Sequence, residues 1–545
     1  MYIDTAEVNY IVLSVDEIPL KIMKIGYDNH IIIRMLAWSI ALCGFLYAGC
    51  GGHDGDLKEK KKGAVGGVQK TVKTDLRAKK RESQESVSKR ACSTCHTWPA
   101  PDVLNRDAWV SVLDMMEPWV GVSPMPENVP EEVRSLYPTE RLVNESEWRE
   151  IKDYYLTHSP ANLPEVNMVF DGDLELFEVE DLEAPFSPFC MAVRVESETG
   201  VIWAGWGVFQ GDHGVYKKTS GGGWSEKMDW GGLPSQIRFS KRGILATLIG
   251  SYFPSDTPRG ALVRVSSGKK KLMVGNLRRP TDLLLLDIDG SGQKKVVFCE
   301  YGNLSGGISL VNPEGRQHSL HEQAGILNIA RADFNGDGHL DIVGLAGQAR
   351  EGVILLMGDG KGQFEARFVL PRHPAWGHSN IAVADLNRDS RPDLIVTNGD
   401  NADTKDAQQR PYHGVRIHLN DGNGNFKSEL FFHHPGAYRA LVRDFDSDGD
   451  LDIAAIAYEN GKHPALLFLL QHQPMQYLKL RVPGLDGSRW ITMDAGDVDQ
   501  DGDLDLVLGA METGPSPRTI LMKSRRKPGH DGPAIILLRN RLRQK

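Results

Sequence analysis

A short aspartate-rich loop recurs five times in the C-terminal two-thirds of this 545-residue chain, and it constrains the fold more than any other feature. The copies that start at Asp333, Asp444 and Asp497 follow the pattern D-x-[DN]-x-D-G-x-x-D in full. The copy from Asp385 has serine in place of the glycine, and the copy from Asp287 lacks two of the carboxylates. Self-similarity every 46 to 59 residues is typical of a repeat architecture, so one supersecondary unit per loop is expected.

The spacing of these aspartates predicts calcium binding. Carboxylates at positions 1, 3 and 5 point into a tight loop, where hard oxygen ligands suit Ca²⁺, and glycine at position 6 permits the sharp turn. Acidic turns without a metal are the alternative, and they would leave several carboxylates crowded and mutually repelling. An EF-hand is excluded, because position 12 holds no glutamate and the flanking runs are β-like. In the degenerate copy, Lys295 is expected to supply the positive charge itself. We expect three or four calcium ions on the following ligands: Asp333, Asn335, Asp337, Asp341, Asp385, Asn387, Asp389, Asp393, Asp444, Asp446, Asp448, Asp452, Asp497, Asp499, Asp501 and Asp505.

Each loop is followed by β-like runs separated by short turns, and 57 glycines fit such a turn-rich chain. Four strands in about fifty residues make one propeller blade. Two strand-rich units without the aspartate loop, at 188–232 and 235–279, bring the total to seven blades over residues 188–545. The last blade is short of an outer strand, and Asp173–Val179, within the linker 161–187, is placed to supply it. Closing the ring in this way removes an exposed strand edge.

A second motif, Cys92-Ser-Thr-Cys95-His96, precedes the repeats and has the pattern of c-type haem attachment. Two thiols add to the two vinyl groups of one haem, and the adjacent histidine reaches the iron from the same turn. A redox disulfide or half of a zinc site are the competing interpretations, but neither a βαβ context nor a second C-x-x-C accompanies the motif. The sequence therefore predicts one covalent haem c. Cys190 and Cys299 are interpreted as small buried hydrophobic residues, with their pairing left open.

The second axial ligand of the iron is expected from a methionine. Met116, at the end of a helix that runs into a loop, is the first choice, and Met125 or Met115 is the alternative. His/Met ligation fills both axial positions and favours electron transfer over oxygen chemistry. The apolar spacing in Glu145–Leu156 predicts a closing helix, so residues 85–160 suit a small all-α cytochrome c domain.

The first part of the chain has the features of an export signal. A basic segment, an apolar run of about a dozen residues and small residues before Cys50 predict a lipoprotein signal peptide over 1–49, with translation starting at Met1, Met23 or Met35. Plain secretion and an uncleaved anchor are the alternatives. Residues 50–84 are charged and poor in aromatics, which predicts a flexible linker. We expect a membrane-anchored lipoprotein of the cell envelope, on the periplasmic side or the cell surface, with the outer membrane as the expected site.

These motifs together resemble a group of bacterial envelope lipoproteins in which a monohaem cytochrome c domain precedes FG-GAP/VCBS repeats. The resemblance covers about 85–545 and includes Pro99, Pro101 and Trp109 beside the haem motif. It implies a multidomain protein, with a small all-α cytochrome c domain followed by an all-β seven-bladed β-propeller with calcium loops. It leaves the activity open, since one propeller fold serves many functions.

Blade topology also predicts a ligand face. The calcium loop joins the first two strands of a blade, so the loop between the second and third strands lies on the opposite face. Seven residues past the last aspartate of the complete and serine-bearing loops stand Gln348, Asp400, Glu459 and Glu512, which predicts a mostly acidic arc around the axis. Such groups can bind a sugar, a peptide or a cation, although polar residues at strand ends are often simply solvated. The candidate residues are Asp400, Asn401, Asp403, Tyr412, His413, His378, Tyr438, Arg439, Glu459 and Glu512.

The leading functional hypothesis is a c-type cytochrome that transfers single electrons, with a calcium-stabilised propeller that docks a partner or ligand. Its partners would be a redox protein or a small electron donor or acceptor, the membrane through the lipid anchor, and a carbohydrate or protein ligand. The alternatives are a haem-linked oxidoreductase with its substrate on the propeller, and an adhesion or carbohydrate-binding protein. A net charge of −9 argues against nucleic acid. No G-x-S-x-G, H-E-x-x-H or nucleotide-binding loop supports a hydrolase or an ATPase.

Overall fold

A computed structural model describes residues 84–543 except 128, 130, 209–210, 313–314, 401–408, 459–462, 486–488 and 512–531. All of these residues belong to the unit Thr74–Lys545. The predicted signal peptide, Cys50 and almost all of the linker lie outside the described residues. In the part that the structure describes, no helix has the length and apolar character needed to cross a membrane.

The described chain begins with a helical segment, residues 84–158. Residues 84–92 are helical, and the C-x-x-C-H motif starts at their last turn. Two further helices follow, each capped by an asparagine side chain that accepts from backbone N–H groups of the first turn. The elements are α1 (Arg106–Met116), α2 (Glu145–His158) and 3₁₀ turns at Pro101–Val103, Pro118–Val120 and Glu131–Leu136.

Aromatic residues of these helices form a core of their own. The ring centroids of Trp109 and Tyr155 are 4.2 Å apart, and Ile151 is fully buried beside them. The Trp109 indole donates to Pro101 O at 2.7 Å, and the Tyr155 hydroxyl donates to Pro99 O at 2.8 Å. These bonds fix the chain that follows the C-x-x-C-H motif against the helices.

The rest of the described chain forms seven antiparallel sheets arranged as blades. The first strand of each blade is the innermost, and it lies beside the first strand of the next blade all the way around the ring. The seven-bladed β-propeller predicted from the sequence is confirmed. The strands are β1 (Gly172–Asp173) and β2 (Phe177–Asp181), then β3 (Cys190–Val195), β4 (Ile202–Gly207) and β5 (His213–Lys218) in blade 1; β6 (Pro234–Ser240), β7 (Gly243–Leu248), β8 (Gly260–Ser266) and β9 (Lys269–Leu277) in blade 2; β10 (Pro280–Leu286), β11 (Lys295–Glu300), β12 (Gly307–Val311) and β13 (Gln317–Glu322) in blade 3; β14 (Ile326–Ala332), β15 (Asp341–Ala346), β16 (Gly352–Gly358) and β17 (Phe364–Val369) in blade 4; β18 (His378–Ala384), β19 (Asp393–Asn398), β20 (Gly414–Asn420) and β21 (Phe426–His433) in blade 5; β22 (Ala437–Arg443), β23 (Asp452–Ala457), β24 (Leu466–Gln473) and β25 (Gln476–Arg481) in blade 6; and β26 (Trp490–Gly496), β27 (Asp505–Ala510) and β28 (Ile535–Asn540) in blade 7.

Two N-terminal strands complete the last two blades. β2 pairs antiparallel with β28 and becomes the outermost strand of blade 7. β1 pairs parallel with β25 and adds a fifth strand to blade 6. The segment Asp173–Val179, predicted as a single closing strand, is therefore divided between two blades. Blade 7 takes its fourth strand from the start of the propeller chain, which ties the two ends of the ring together.

Every innermost strand carries a β-bulge immediately after its first residue. The side chain that follows the bulge is polar in six of the seven blades, and most of these side chains bond to the backbone of the next blade. The Asn328 amide, for example, donates to Ile381 O at 2.9 Å and accepts from Ile381 N at 3.2 Å. We call this ring of residues the bulge belt: Ala192, Gln236, Asp282, Asn328, Asn380, Arg439 and Thr492.

The two faces of the ring differ. The lower face carries the aspartate loops, which join the first and second strands of blades 3 to 7. The upper face carries the loops between the second and third strands. The helical segment contacts the upper face at blade 5, where the Tyr412 hydroxyl donates to Val103 O at 2.9 Å.

Candidate haem and calcium sites

The two cysteines of the C-x-x-C-H motif lie on one turn at the end of the helical residues 84–92. Both thiols are free; Cys92 is half-buried and Cys95 is exposed. The Tyr155 hydroxyl contacts Cys92 Sγ at 3.9 Å, and burial raises the pKa of Cys92 to about 11. Neither sulfur is engaged in a disulfide, so both are available for thioether bonds.

His96 presents the ring nitrogen that an iron ligand requires. Its Nδ1 lies 3.0 Å from Thr97 O. Because a carbonyl oxygen only accepts, Nδ1 carries the proton and the lone pair is left on Nε2. Burial lowers the pKa of His96 and so favours the neutral imidazole. Two free thiols and a correctly protonated imidazole on one turn fit a covalently attached haem.

The three candidate methionines differ in exposure. Met116 ends α1 and packs against the helical core, whereas Met115 and Met125 are 49% and 36% exposed. An axial thioether lies in an apolar pocket. Met116 therefore remains the first choice, because it packs against the helical core and the other two methionines are exposed. The assignment of the second axial ligand stays a prediction.

The upper face of blade 5 packs against this site. Ala375 packs against the helical core, and the Tyr412 hydroxyl donates to Ala375 O at 3.0 Å as well as to Val103 O. Trp376 stacks on Tyr412 with ring centroids 5.1 Å apart and planes 7° from parallel. The propeller therefore packs against the helical core, against which Cys92 of the motif also packs.

A half-buried histidine of the propeller, His373, packs against Trp376 and Tyr412 at the contact with the helical segment. The pKa of His373 is lowered to about 4, mainly by burial and also by the positive charges of Arg410, Arg372 and His96. Its Nδ1 is buried and has no hydrogen-bond partner within the described residues. Sequence reasoning missed His373, Arg372 and Arg410, because they follow β17 and β19, far along the chain from His96, and match no motif.

The structure separates the predicted ligand-face residues. His378 and His413 are 4% and 0% exposed, so neither imidazole faces solvent. His378 lies in the interior beside Glu351, at 3.4 Å. Arg439 belongs to the bulge belt. Burial lowers the pKa of its guanidinium, and the negative charges of Asp282 and Asp494 oppose this lowering.

The other ligand-face residues lie elsewhere. Tyr412 faces the helical segment, and Tyr438 is partly exposed on the upper face. Asp400 is partly exposed. Burial is the main cause that raises the pKa of Tyr438, and the negative charge of Asp400 raises it as well. Gln348 of the predicted arc accepts from the Tyr301 hydroxyl at 2.8 Å. The remaining candidates lie outside the described residues: Asn401, Asp403, Glu459 and Glu512.

The aspartate loops share one backbone geometry. In all five, the N–H at position 6 donates to the carboxylate at position 1, at 2.8 to 3.0 Å. Positions 4 and 6 are both left-handed in every loop, including non-glycine residues. The left-handed pairs, in chain order, are Gly290 and Gly292, Gly336 and Gly338, Arg388 and Ser390, Ser447 and Gly449, and Gln500 and Gly502.

The loops from Asp444 and Asp497 bring three carboxylates each to within 4.8 Å of one another: Asp444, Asp446 and Asp448, and Asp497, Asp499 and Asp501. In the part of the chain that is described, Asp444 Oδ1 and Asp499 Oδ1 are buried without a hydrogen-bond partner. A divalent cation would satisfy both oxygens and offset the repulsion between the carboxylates. The residues of these two loops therefore fit calcium.

Cationic side chains occupy two of the other loops. Arg391 Nη2 lies 2.5 Å from Asp389 Oδ2 in the serine-bearing loop. In the degenerate loop, Lys295 forms an ion pair with Asp289 and lowers the pKa of that carboxyl to about 2. Lys295 thus lies where the sequence predicts a substitute for the metal charge.

The aspartate at position 9 has a different role from the other three. Asp452 is fully buried; its Oδ2 accepts from Phe445 N at 3.0 Å and its Oδ1 from Gln471 N at 2.9 Å. Asp341, Asp393 and Asp505 make the same two kinds of bond. These carboxylates fasten the loop to the neighbouring strand, so the cluster of acidic oxygens consists of positions 1, 3 and 5.

Comparisons with known proteins identify one repeat. Residues 333–396, from the aspartate loop of blade 4 into β19, match the FG-GAP-like repeat family. Among solved structures, the chain is similar to the crystal structure of the BP39L lectin from Burkholderia pseudomallei, at 10% identity and a TM-score of 0.40, over 60% of this chain and 94% of that chain. No curated protein sequence matches the chain significantly.

Proposed function

We propose that this FG-GAP-repeat β-propeller protein is a cell-envelope cytochrome of the c type that transfers single electrons. The calcium-stabilised propeller would serve as its docking or ligand-binding module, and Cys50 as its lipid anchor. One observation carries the proposal: Cys92, Cys95 and His96 share a turn with both thiols free and with the Nε2 lone pair of His96 available.

The residues of the helical segment have distinct tasks in this function. Cys92 and Cys95 would hold the haem through thioether bonds, and His96 and Met116 would be the axial ligands. The haem supplies one-electron redox chemistry. Trp109 and Tyr155 keep water from the helical core and hold the chain after the motif in place through their bonds to backbone carbonyls. With His96 and Met116 as axial ligands, the site would favour electron transfer over the activation of oxygen.

The test is haem attachment in protein exported through a cytochrome c maturation pathway. We expect haem staining that survives denaturing electrophoresis and a low-spin six-coordinate visible spectrum. Replacing both Cys92 and Cys95 with alanine should abolish the covalent stain, and Met116→Ala should open the sixth position without loss of haem. Cys190→Ala, which removes a buried thiol from the propeller, should change neither. Properly matured wild-type protein without colour would overturn the proposal.

Carbohydrate binding by the propeller is a second candidate function. An open cavity of about 550 Å³ beside blade 1 is lined by Tyr216, Trp224, Glu183 and Glu226, among others. Aromatic faces and carboxylates of this kind can bind the apolar face and the hydroxyl groups of a sugar. Binding to a glycan panel that is lost in Trp224→Ala would support this role. Reduction of the ferric protein by an added sugar or alcohol would instead favour the oxidoreductase alternative.

A further inference from the structure

Two arginine side chains, one from blade 5 and one from the connection between blades 4 and 5, lie where the propeller meets the helical segment. Arg410 is 3% exposed and donates through Nη1 to Ala375 O at 2.5 Å. Ala375 packs into the helical core, so Arg410 lies at the contact between the two parts. Arg372, three residues before Ala375, stacks over Trp376 with its guanidinium 4.9 Å from the ring centroid. Two guanidinium groups are thus fixed where the propeller contacts the helical segment.

The positive charge of Arg372 is not balanced by a neighbouring acid. Within the described residues, no carboxylate forms a salt bridge with Arg372; its Nη1 donates only to Pro371 O, at 3.0 Å. Glu351, the buried acid of this region, accepts from the backbone of Gly377 and His378. A carboxylate is the partner that stabilises a partly buried guanidinium most, because the guanidinium can donate to both carboxylate oxygens.

His373 adds a third polar group to the same place. Its Nδ1 is buried and unpartnered in the described part of the chain, and its ring lies nearly perpendicular to the stacked rings of Trp376 and Tyr412, at centroid distances of 5.4 and 5.5 Å. His373 contacts the ring of Tyr412, whose hydroxyl donates to Val103 O, and Ala375 packs against the same helical core as Cys92. The cluster of Arg372, His373 and Arg410 therefore lies where the propeller meets the helical segment that carries the C-x-x-C-H motif.

We propose that this cluster binds the propionate carboxylates of the haem, so that the propeller completes the haem site. The inference rests on the proposed function, since it requires a haem attached at Cys92 and Cys95. Vinyl groups and propionates occupy opposite edges of a haem. A haem attached through its vinyl groups and ligated by His96 directs its propionates away from the two cysteines. Arg372 and Arg410 then neutralise two negative charges, and His373 supplies a further hydrogen-bonding nitrogen.

The midpoint potential of the holoprotein tests the proposal. Arg372→Gln removes a positive charge beside the haem, which favours the ferric form, so the reduced-to-oxidised ratio at a fixed applied potential should fall several-fold. A tenfold fall corresponds to 59 mV for a one-electron couple. Arg367→Gln, on the outer strand of blade 4, is the charge-matched control, because Arg367 is exposed there. Arg372→Lys should retain most of the wild-type potential.

The pH dependence of the potential gives a second readout. Protonation of a propionate favours the ferrous form, so the potential falls as pH rises through the propionate pKa. Loss of Arg372 raises that pKa, and the fall should move to higher pH in Arg372→Gln but not in Arg367→Gln. Identical potentials in these two variants over the whole pH range would overturn the inference.

A measurement on the unmodified protein covers the case in which a variant does not fold. Resonance Raman propionate-bending bands respond to hydrogen bonding, and we expect bonded propionates in the wild-type holoprotein. Bands of free, solvated propionates would contradict the proposal. Absence of haem from the wild-type protein would refute the proposed function itself, whereas a normal haem with free propionates refutes the inference alone.

Discussion

Ser390 shows how single residues in the aspartate loops tolerate an unfavourable backbone. It occupies position 6, where the complete loops have glycine, and it has φ of +65°. A residue with a Cβ in this region costs roughly 1–2 kcal/mol relative to the right-handed region. The loop keeps its shape because the Ser390 N–H still donates to Asp385 Oδ2 at 2.8 Å.

Ser390→Gly should therefore stabilise the protein. We expect a gain of about 1 kcal/mol in the free energy of unfolding, since glycine adopts this φ without steric strain. Chemical denaturation at constant calcium concentration measures the change. Ser197→Gly, in an exposed turn outside the left-handed region, is the matched control and should cost stability instead. A loss of stability in Ser390→Gly would show that the strain is absent.

The sequence reveals only part of this loop geometry. Glycine at position 6 is visible in three complete copies, because it is the residue that left-handed backbone favours. Position 4 is left-handed too, but Arg388, Ser447 and Gln500 stand there with φ of +59° to +63°. Their side chains give no sign of this, since the conformation is imposed by the backbone bonds of the loop.

At the scale of elements, the bulge belt joins neighbouring blades. The Asn328 amide makes two hydrogen bonds to Ile381 in the next innermost strand. Asn328→Ala should lower the free energy of unfolding by about 1–3 kcal/mol, because it leaves buried backbone groups without these partners. Chemical denaturation measures the loss, and the exposed Asn162→Ala should have almost no effect. Equal stabilities of the two variants would mean that the belt does not hold the blades together.

The aspartate loops make a second prediction at this scale. Asp446→Asn should reduce the calcium content by one ion, because Asp446 belongs to a cluster of three carboxylates. Asp289→Asn changes the equivalent residue of the degenerate loop, where Lys295 already pairs with the acid, and should leave the calcium content unchanged. Metal analysis after gel filtration measures both. Chelation should also lower the unfolding temperature, since an ion present at 100 times its Kd stabilises the fold by about 2.7 kcal/mol. Equal calcium contents in wild type and Asp446→Asn would contradict the assignment.

A helix whose signals lie in its own sequence could be predicted. Strands whose position depends on pairing with distant strands could not. The predicted helix from Glu145 is observed as Glu145–His158, because its cap and its apolar spacing are both local. By contrast, Gly172–Asp173 and Phe177–Asp181 pair with strands about 300 residues or more away in different blades. The short sequence between them gives no signal for this division.

At the scale of the whole molecule, topology predicts which face a residue occupies but not what covers it. His378 and His413 belong to the upper end of blade 5, as the strand count predicts, yet both are buried. Tyr412 beside them contacts the helical segment through Val103. The packing of one part of a chain on another depends on surfaces that no repeat pattern records, so an open ligand face could not be distinguished from a covered one.

The contact between the helical segment and the propeller gives the last prediction. The Tyr412 hydroxyl donates to both Val103 O and Ala375 O, and so joins the two parts beside the C-x-x-C-H turn. Tyr412→Phe should lower the free energy of unfolding by about 1–3 kcal/mol and increase proteolytic cleavage between the helices and β1, because it removes the hydrogen bond to Val103 O. Ala375 O keeps its hydrogen bond from Arg410.

Tyr477→Phe is the matched control, since the Tyr477 hydroxyl is buried without a hydrogen-bond partner in the described residues. Removing that hydroxyl should leave stability unchanged or raise it slightly, because a buried polar group without a partner is unfavourable. Denaturation curves and limited proteolysis of the two variants separate the alternatives. If Tyr412→Phe behaves like Tyr477→Phe in both assays, the helices and the propeller are held together by apolar packing around Ala375 and not by this hydroxyl.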